Sequence, residues 1–247
     1  MLEVVLLLSA AFIVGASKGG LASAGAIAVP MLALVMSPIA AAALLLPVFI
    51  VTDWFGVWLY RKDFSKRNVL ILVPSMLLGI AIATLITPYT PESALLIFTG
   101  AIGLWYCAKT WLGSSQTERQ PARLVPGVFW GVITGIASFI THSGSPPSQA
   151  YLLPQQLPKL TFAGTVAIAF AAGNFVKIPA YFAIGQLDNL NWSLVAGLSV
   201  AGIAGVYVGR WLTEIMRQET YMRFIHTTLF LLSVILVGRG GYELFAG

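Results

Sequence analysis

Apolar residues run along the chain in ten segments, at about 2–17, 20–36, 38–60, 68–87, 93–112, 124–142, 148–157, 161–186, 191–212 and 220–238, with short polar turns between them. A helix needs about 20 apolar residues to cross the hydrocarbon core of a bilayer. Segments 38–60, 68–87, 93–112, 161–186, 191–212 and 220–238 meet that length. The other four are shorter or are interrupted by Gly, Pro or polar residues. They fall in consecutive pairs, 2–36 and 124–158, each joined by a polar turn. The pattern predicts six transmembrane helices and two broken hairpins.

The chain also repeats itself at an offset near 123 residues. Gly20 falls on Gly144, Pro30 on Pro154, Tyr60 on Phe182, Asn68 on Asn191, and Gly79-Ile80-Ala81 on Gly202-Ile203-Ala204. These matches keep their order along both halves, as two copies of one unit do. The long polar stretch at 113–123 separates a first repeat, 1–112, from a second, 124–247.

Charge sets the relative orientation of the halves. The turn after 38–60 carries Arg61, Lys62, Lys66 and Arg67, whereas its counterpart at 183–190 carries Asp188 alone. The following loop reverses the bias, with Glu92 in the first half against Arg210, Arg217 and Arg223 in the second. Basic loops stay in the cytoplasm, so equivalent loops fall on opposite sides, the mark of an inverted repeat. Inversion requires an odd number of crossings per half. If each broken pair is a re-entrant hairpin, each half has three crossings. Lys109, Arg119, Arg123 and Lys159 then join the other basic residues in the cytoplasm, the 113–123 linker with them, and only Arg239 lies outside. The expected fold is an all-α integral membrane protein of two inverted-topology repeats, each a re-entrant hairpin plus three transmembrane helices.

Composition agrees. Of 247 residues 58% are hydrophobic and 9% charged, and mean hydropathy is +0.87, too few charges to cover a water-soluble domain. The net charge of +5 reads as topology rather than as a nucleic-acid surface. Cys107 is the one cysteine, which excludes an intrachain disulfide and a CxxC metal pair. Met1-Leu2-Glu3 lacks the basic region of a cleaved signal, so none is expected. The expected location is a bacterial-type inner membrane.

Irregular backbone at membrane depth must be buried in protein or line a wet cavity. The hairpin tips are such places. The first reads Gly15-Ala16-Ser17-Lys18-Gly19-Gly20-Leu21-Ala22-Ser23, and the second Thr141-His142-Ser143-Gly144-Ser145-Pro146-Pro147-Ser148-Gln149. Each tip precedes a new helix, whose first amides and positive dipole end favour an anion. Glycine allows close approach of the backbone, and Pro146 or Pro147 can take the first helical position. Ser17, Ser23, Ser143, Ser145 and Ser148 add hydroxyls, and Lys18 adds a full charge. The candidate substrate-binding set is therefore Ser17, Lys18, Gly19, Gly20, Ser23, His142, Ser143, Gly144, Ser145, Pro146, Ser148 and Lys177. Donors and cations dominate it, so the expected ligand is a small anion held near the midplane. The plainer alternative is that Gly and Pro serve helix packing.

Ionisable residues inside a span are costly and point to function. Asp53 and Lys177 each lie about two-thirds of the way along their spans. Because the spans run in opposite directions, Asp53 is expected toward the inside and Lys177 toward the outside. Asp53 is a candidate for a coupling proton or for a pair with Lys18, and Asn174 and Gln149 for coupling or gating. Both ionisable residues could instead snorkel to an interface. His142 is a candidate proton carrier or a structural histidine. Trp54, Trp58, Tyr60, Trp105, Trp111, Tyr207 and Trp211 form an expected aromatic belt at the inner interface.

His142-Ser143-Gly144-Ser145-Pro146-Pro147, followed by Tyr151-Leu152-Leu153-Pro154-Gln155, resembles the second-half motif of the TauE/SafE sulfite-exporter family. Lys177-Ile178-Pro179-Ala180-Tyr181 with Gly185-Gln186 resembles that family's next signature, and the stretch from Gly15 to Pro30 and the Asp53 to Tyr60-Arg61 spacing also fit. The resemblance covers nearly the whole chain. It implies transport of sulfite, sulfoacetate or related sulfur-containing anions, without identifying which. Ala16-Ser17-Lys18 interrupts the richer glycine cluster of the family.

The leading expectation is a secondary transporter of a small anion, working by alternating access with lipid as its solvent and no cofactor; proton coupling and oligomerisation stay open. No GxxxxGK[ST] loop is present for ATP. An anion channel, a membrane scaffold, and an intramembrane hydrolase using Ser143 or Ser145 beside His142 are the alternatives. Neither GxSxG nor HExxH occurs, and adjacent residues rarely give nucleophile–base geometry.

Overall fold

A computed structural model of the chain describes residues 2–22, 24–32, 35–36, 38–86, 89, 91–112, 119–141, 144–183 and 190–246. Regular structure among them is helical: α1 (Leu2–Lys18), α2 (Ala28–Leu32), α3 (Pro38–Tyr60), α4 (Lys66–Ile86), α5 (Glu92–Leu112), α6 (Leu124–Thr141), α7 (Ser145–Leu152), α8 (Lys159–Ala183), α9 (Trp192–Ile215) and α10 (Gln218–Ala246). Short 3-10 turns cover Ala24–Ile27 and Leu153–Gln155. Five stretches are long and apolar enough to cross a membrane: Ala43–Tyr60, Lys66–Ile86, Lys159–Pro179, Trp192–Ile215 and Gln218–Leu244. The sixth expected span corresponds to α5, which is 21 residues long and whose described apolar stretch is Leu96–Ala108. Large apolar side chains such as Leu70, Leu78 and Leu85 of α4 stand exposed, the surface expected of a helix solvated by lipid.

Local sequence accounts for the ends of several helices. The Asn191 side chain accepts a hydrogen bond from Leu194 N–H at 3.1 Å and starts α9. Proline stands within the first turn of α7, where its missing N–H costs nothing. Pro47, Pro74 and Pro179 lie inside α3, α4 and α8. Pro179 was a candidate break, yet α8 continues past it to Ala183.

The helices cluster into two compact units. One comprises Met1–Ser65 with Lys159–Tyr221, the other Lys66–Pro158 with Met222–Gly247, so each draws on both halves of the sequence. In the first unit α1 packs along α9. A methyl group on Gly15 would overlap the carbonyl of Gly202, and one on Gly205 the carbonyl of Phe12. In the second unit α4 packs along α6 in the same manner. There a methyl on Gly79 would overlap the carbonyl of Val132, and one on Gly135 that of Met76. Small residues let backbones touch, and dispersion then replaces the hydrophobic effect as the glue between helices in lipid. Leu7, Val14, Leu32, Leu45, Val48, Phe49 and Leu198 fill the core of the first unit.

Candidate functional site

The end of α1 is a built helix cap. Leu21 N–H donates to Ala16 C=O at 3.1 Å and Gly20 N–H to Ser17 C=O at 3.2 Å, the paired bonds of a Schellman motif. Gly20 has φ of +131°, open to glycine and strained for other residues. Gly19 N–H donates to Gly15 C=O at 2.9 Å, and the Ser17 hydroxyl donates to Val14 C=O at 2.7 Å. The amides expected to face a ligand at Gly19 and Gly20 are therefore engaged within the chain. This tip ends one helix before it precedes another, and its geometry is that of the ending.

The carbonyls left at the cap are held by phenols. Tyr60 Oη donates to Gly19 C=O at 2.5 Å, and Tyr221 Oη donates to Gly20 C=O at 2.6 Å. Both tyrosines are fully buried, so Tyr60 leaves the expected aromatic belt, while Trp54, Trp58, Trp105, Trp111, Tyr207 and Trp211 stand exposed. The Arg210 guanidinium stacks 4.4 Å from the Tyr60 ring centroid and bridges to Asp63 at 3.4 Å and Glu214 at 2.7 Å.

This cap presents Lys18 to the interior. Its Nζ lies 2.6 Å from Asp53 Oδ1 of α3, in a pair that is almost wholly buried. Asp53 Oδ2 accepts from Asn174 Nδ2 at 2.7 Å, and Asn174 Oδ1 accepts from Lys177 Nζ at 3.2 Å. The spacing of three residues puts Asn174 and Lys177 on one face of α8. Lys18 Nζ also sits 5.1 Å and 5.8 Å from the ring centroids of Phe49 and Phe170, where the ring faces attract a cation. Gly56 makes room, since a Cβ there would stand 3.1 Å from the Lys18 carbonyl oxygen.

Lys18, Asp53, Asn174 and Lys177 thus form one buried chain of contacts. Asp53 and Lys177, expected toward the inside and the outside, are linked through Asn174. Asn174, one turn ahead of Lys177, reaches the carboxylate with its amide nitrogen and receives the ammonium on its oxygen. One side chain closes the gap that position along the spans implied. It also removes the snorkelling alternative, because Lys177 is fully buried and Asp53 nearly so.

The second tip belongs to the other unit. Gly144 caps α7 with backbone only, and Ser145, Pro146, Ser148 and Gln149 are buried. The Ser148 hydroxyl donates to Ser145 C=O at 2.8 Å. His142 and Ser143, like Ser23 of the first tip, lie outside the described residues. Beyond α7, Gln155 and Asn68 exchange amide hydrogen bonds of 2.8 and 3.2 Å, and Gln155 Nε2 also donates to Tyr151 C=O at 3.1 Å. Sequence reading passed over this pair, as it did the Tyr60 and Tyr221 bonds. The only signal was polar residues inside apolar segments. Cys107 is buried packing and donates weakly to the His226 carbonyl at 3.9 Å, while the His226 ring stacks on Tyr106. Among the described residues, no group of three or more His, Cys, Asp or Glu is placed to hold a metal.

Long apolar helices around a buried set of charges are the make-up of a membrane protein with a costly polar interior. The family model for the sulfite exporter TauE/SafE matches residues 7–236, and the chain belongs to that family. No curated protein and no solved structure matches the chain significantly.

Proposed function

We propose that the chain is a secondary transporter that carries sulfite, or an organosulfonate such as sulfoacetate, across a bacterial-type inner membrane, and that it is not an enzyme. The observation that carries this reading is the buried Lys18–Asp53–Asn174–Lys177 chain at the end of α1. A charged residue within a span is retained at a cost of several kcal/mol and marks an ion or substrate path. Lys18 and Lys177 supply the attraction for the anion, and Asp53 with Asn174 holds the two ammonium groups apart. Gly19 and Gly20 act by fixing Lys18.

The finer design proposed is that of the sequence: inverted repeats 1–112 and 124–247 joined by a cytoplasmic linker, each a re-entrant hairpin plus three spans. The ligand groups proposed are Ser17 and Ser23 at the first tip and, taken by itself, His142, Ser143, Gly144, Ser145, Pro146 and Ser148 at the second, with Gln149 as a gating residue; alternating access moves the anion. The matched glycine crossings support the repeat, because α1 and α9 stand in the two halves where α6 and α4 do.

The test is uptake into proteoliposomes of sulfite, sulfate, thiosulfate, sulfoacetate and short carboxylates, with and without a pH gradient. Saturable uptake of a sulfur oxyanion, reduced by Lys18→Ala and by Lys177→Ala, is expected. Unchanged transport in both variants removes the site assignment, and flux that never saturates favours a channel.

A further inference from the structure

The unit of Lys66–Pro158 with Met222–Gly247 holds a cleft of about 120 Å³ that none of the candidate tip residues lines. Its walls are aromatic: Trp105 and Tyr106 of α5, Trp130 of α6 and Tyr151 of α7. The Trp105 and Trp130 rings stack with their centroids 6.1 Å apart. Gln120 and Arg123 line it from the segment that leads into α6. That segment is pinned to the end of α7. Gln120 N–H donates to Pro154 C=O at 3.1 Å, Arg119 Nε to Gln155 C=O at 2.9 Å, and Tyr151 Oη to Arg123 C=O at 3.2 Å. The side chains of Gln120 and Arg123 take no part in these bonds and have no hydrogen-bond or ion-pair partner among the described residues.

Among the described residues of this unit, charge near the cleft has one sign. Gln155 exchanges amide bonds with Asn68, which brings Lys66 and Arg67 of the first turn of α4 to the same end as Arg119 and Arg123. The described acids of the unit, Glu92 and Glu243, lie at the other end of α5. Glu92 opens that helix, about 20 Å from Trp105 at 1.5 Å per residue. Gly240, just ahead of Glu243, packs beside it, since a Cβ there would stand 2.7 Å from the Ser93 carbonyl oxygen. The surface next to the cleft is apolar, with Val125, Val128 and Phe129 of α6 exposed.

We propose that this cleft binds the headgroup of an anionic phospholipid, its phosphate against Arg123 and its acyl chains along the exposed face of α6. A guanidinium meets a phosphate through paired N–H bonds. The faces of aromatic rings carry partial negative charge and do not attract a small hydrated anion, whereas Trp and Tyr settle at the headgroup level of a bilayer. The exposed apolar residues beside the cleft give acyl chains a surface for which a free anion has no use. A cluster of Lys and Arg favours anionic over zwitterionic lipid. Bound there, the lipid braces the segment 119–123 against the end of α7. The inference goes beyond the transport reading and does not depend on which anion is carried.

The test is native mass spectrometry of the full-length protein in detergent, titrated with phosphatidylglycerol, phosphatidylcholine or inorganic phosphate. Phosphatidylglycerol should be retained at least about fivefold better than phosphatidylcholine, and inorganic phosphate should not displace it. Arg123→Ala should lower phosphatidylglycerol retention about fivefold. Arg61→Ala, which removes an exposed cation stacked on Trp58 in the other unit, should leave retention unchanged. The comparison of lipids on the unaltered protein holds whether or not a variant folds. Equal retention of the two lipids overturns the proposal. So do equal losses in the Arg123 and Arg61 variants, which mark diffuse attraction to a basic surface. Displacement of phosphatidylglycerol by inorganic phosphate assigns the cleft to a free anion and overturns it as well. None of these results bears on the Lys18 site, so the transport reading stands or falls separately.

Discussion

The two hairpin tips look alike as sequence and differ as chemistry. Both are short runs of Gly, Ser and small residues, about 124 residues apart at Gly20 and Gly144. The first is the end of a helix, closed by the Schellman bonds at Gly20 and Leu21, clamped by two phenols, and carrying a lysine into a buried ion pair. The second is the start of a helix, with proline in its first turn, a backbone-only cap and no described charge. Similar stretches of sequence thus serve opposite ends of a helix, with different chemistry at each. A lysine in one copy asks for a carboxylate nearby, and Asp53 with the α8 face supplies the answer within the same unit.

The largest break in that comparison comes from the buried pair. Asp53→Ala strands Lys18 and should destabilise the protein by about 3–5 kcal/mol, seen as a lowered unfolding midpoint in detergent. The double substitution Lys18→Met with Asp53→Leu should recover most of that loss, because the desolvation cost leaves with the charges. A single variant as mild as any at the second tip would contradict the contrast. Next come the helix crossings, where the two units should respond alike. Gly15→Val and Gly135→Val each push a side chain into a backbone carbonyl and should cost roughly 1–3 kcal/mol or more, whereas Gly197→Ala, with open space around it, should show no steric penalty. Unequal losses at Gly15 and Gly135 would separate the packing of the units. Tyr60→Phe and Tyr221→Phe each remove one buried hydrogen bond at the first tip and should cost about 1 kcal/mol, with a matching fall in affinity if Lys18 is displaced. The smallest effect is expected at the second tip, where Ser148→Ala loses a bond to Ser145 C=O worth about 0.5 kcal/mol.

Much of the fold was legible because lipid imposes a simple rule. Long apolar runs had to be helices, and the boundaries of α3, α4, α8 and α9 fall within a few residues of the runs that foretold them. Lys18, Asp53, Asn174 and Lys177 stood out for the same reason, as polar groups in costly surroundings. What sequence could not convey was their mutual geometry. Span position placed Asp53 and Lys177 apart, and only the rotation of α8 brings Asn174 between them. The use of the tip amides was equally hidden, because a Gly-Gly pair reads the same whether it greets a ligand or caps the helix before it. Tyr60 illustrates the remaining gap. At the end of a span it read as a belt residue, yet its hydroxyl turns inward to the cap.

Pro47 and Pro179 stand close to the buried charges, six residues before Asp53 on α3 and two after Lys177 on α8. Each proline has no N–H to offer the carbonyl four residues earlier, which falls at Ala43 and at Phe175. Of the three helices that bear the buried charges, α3 and α8 therefore each carry a soft joint beside the stretch that holds Asp53 or Lys177. Bending at either place is therefore cheap, because one rung of the backbone ladder is already missing close to the ions.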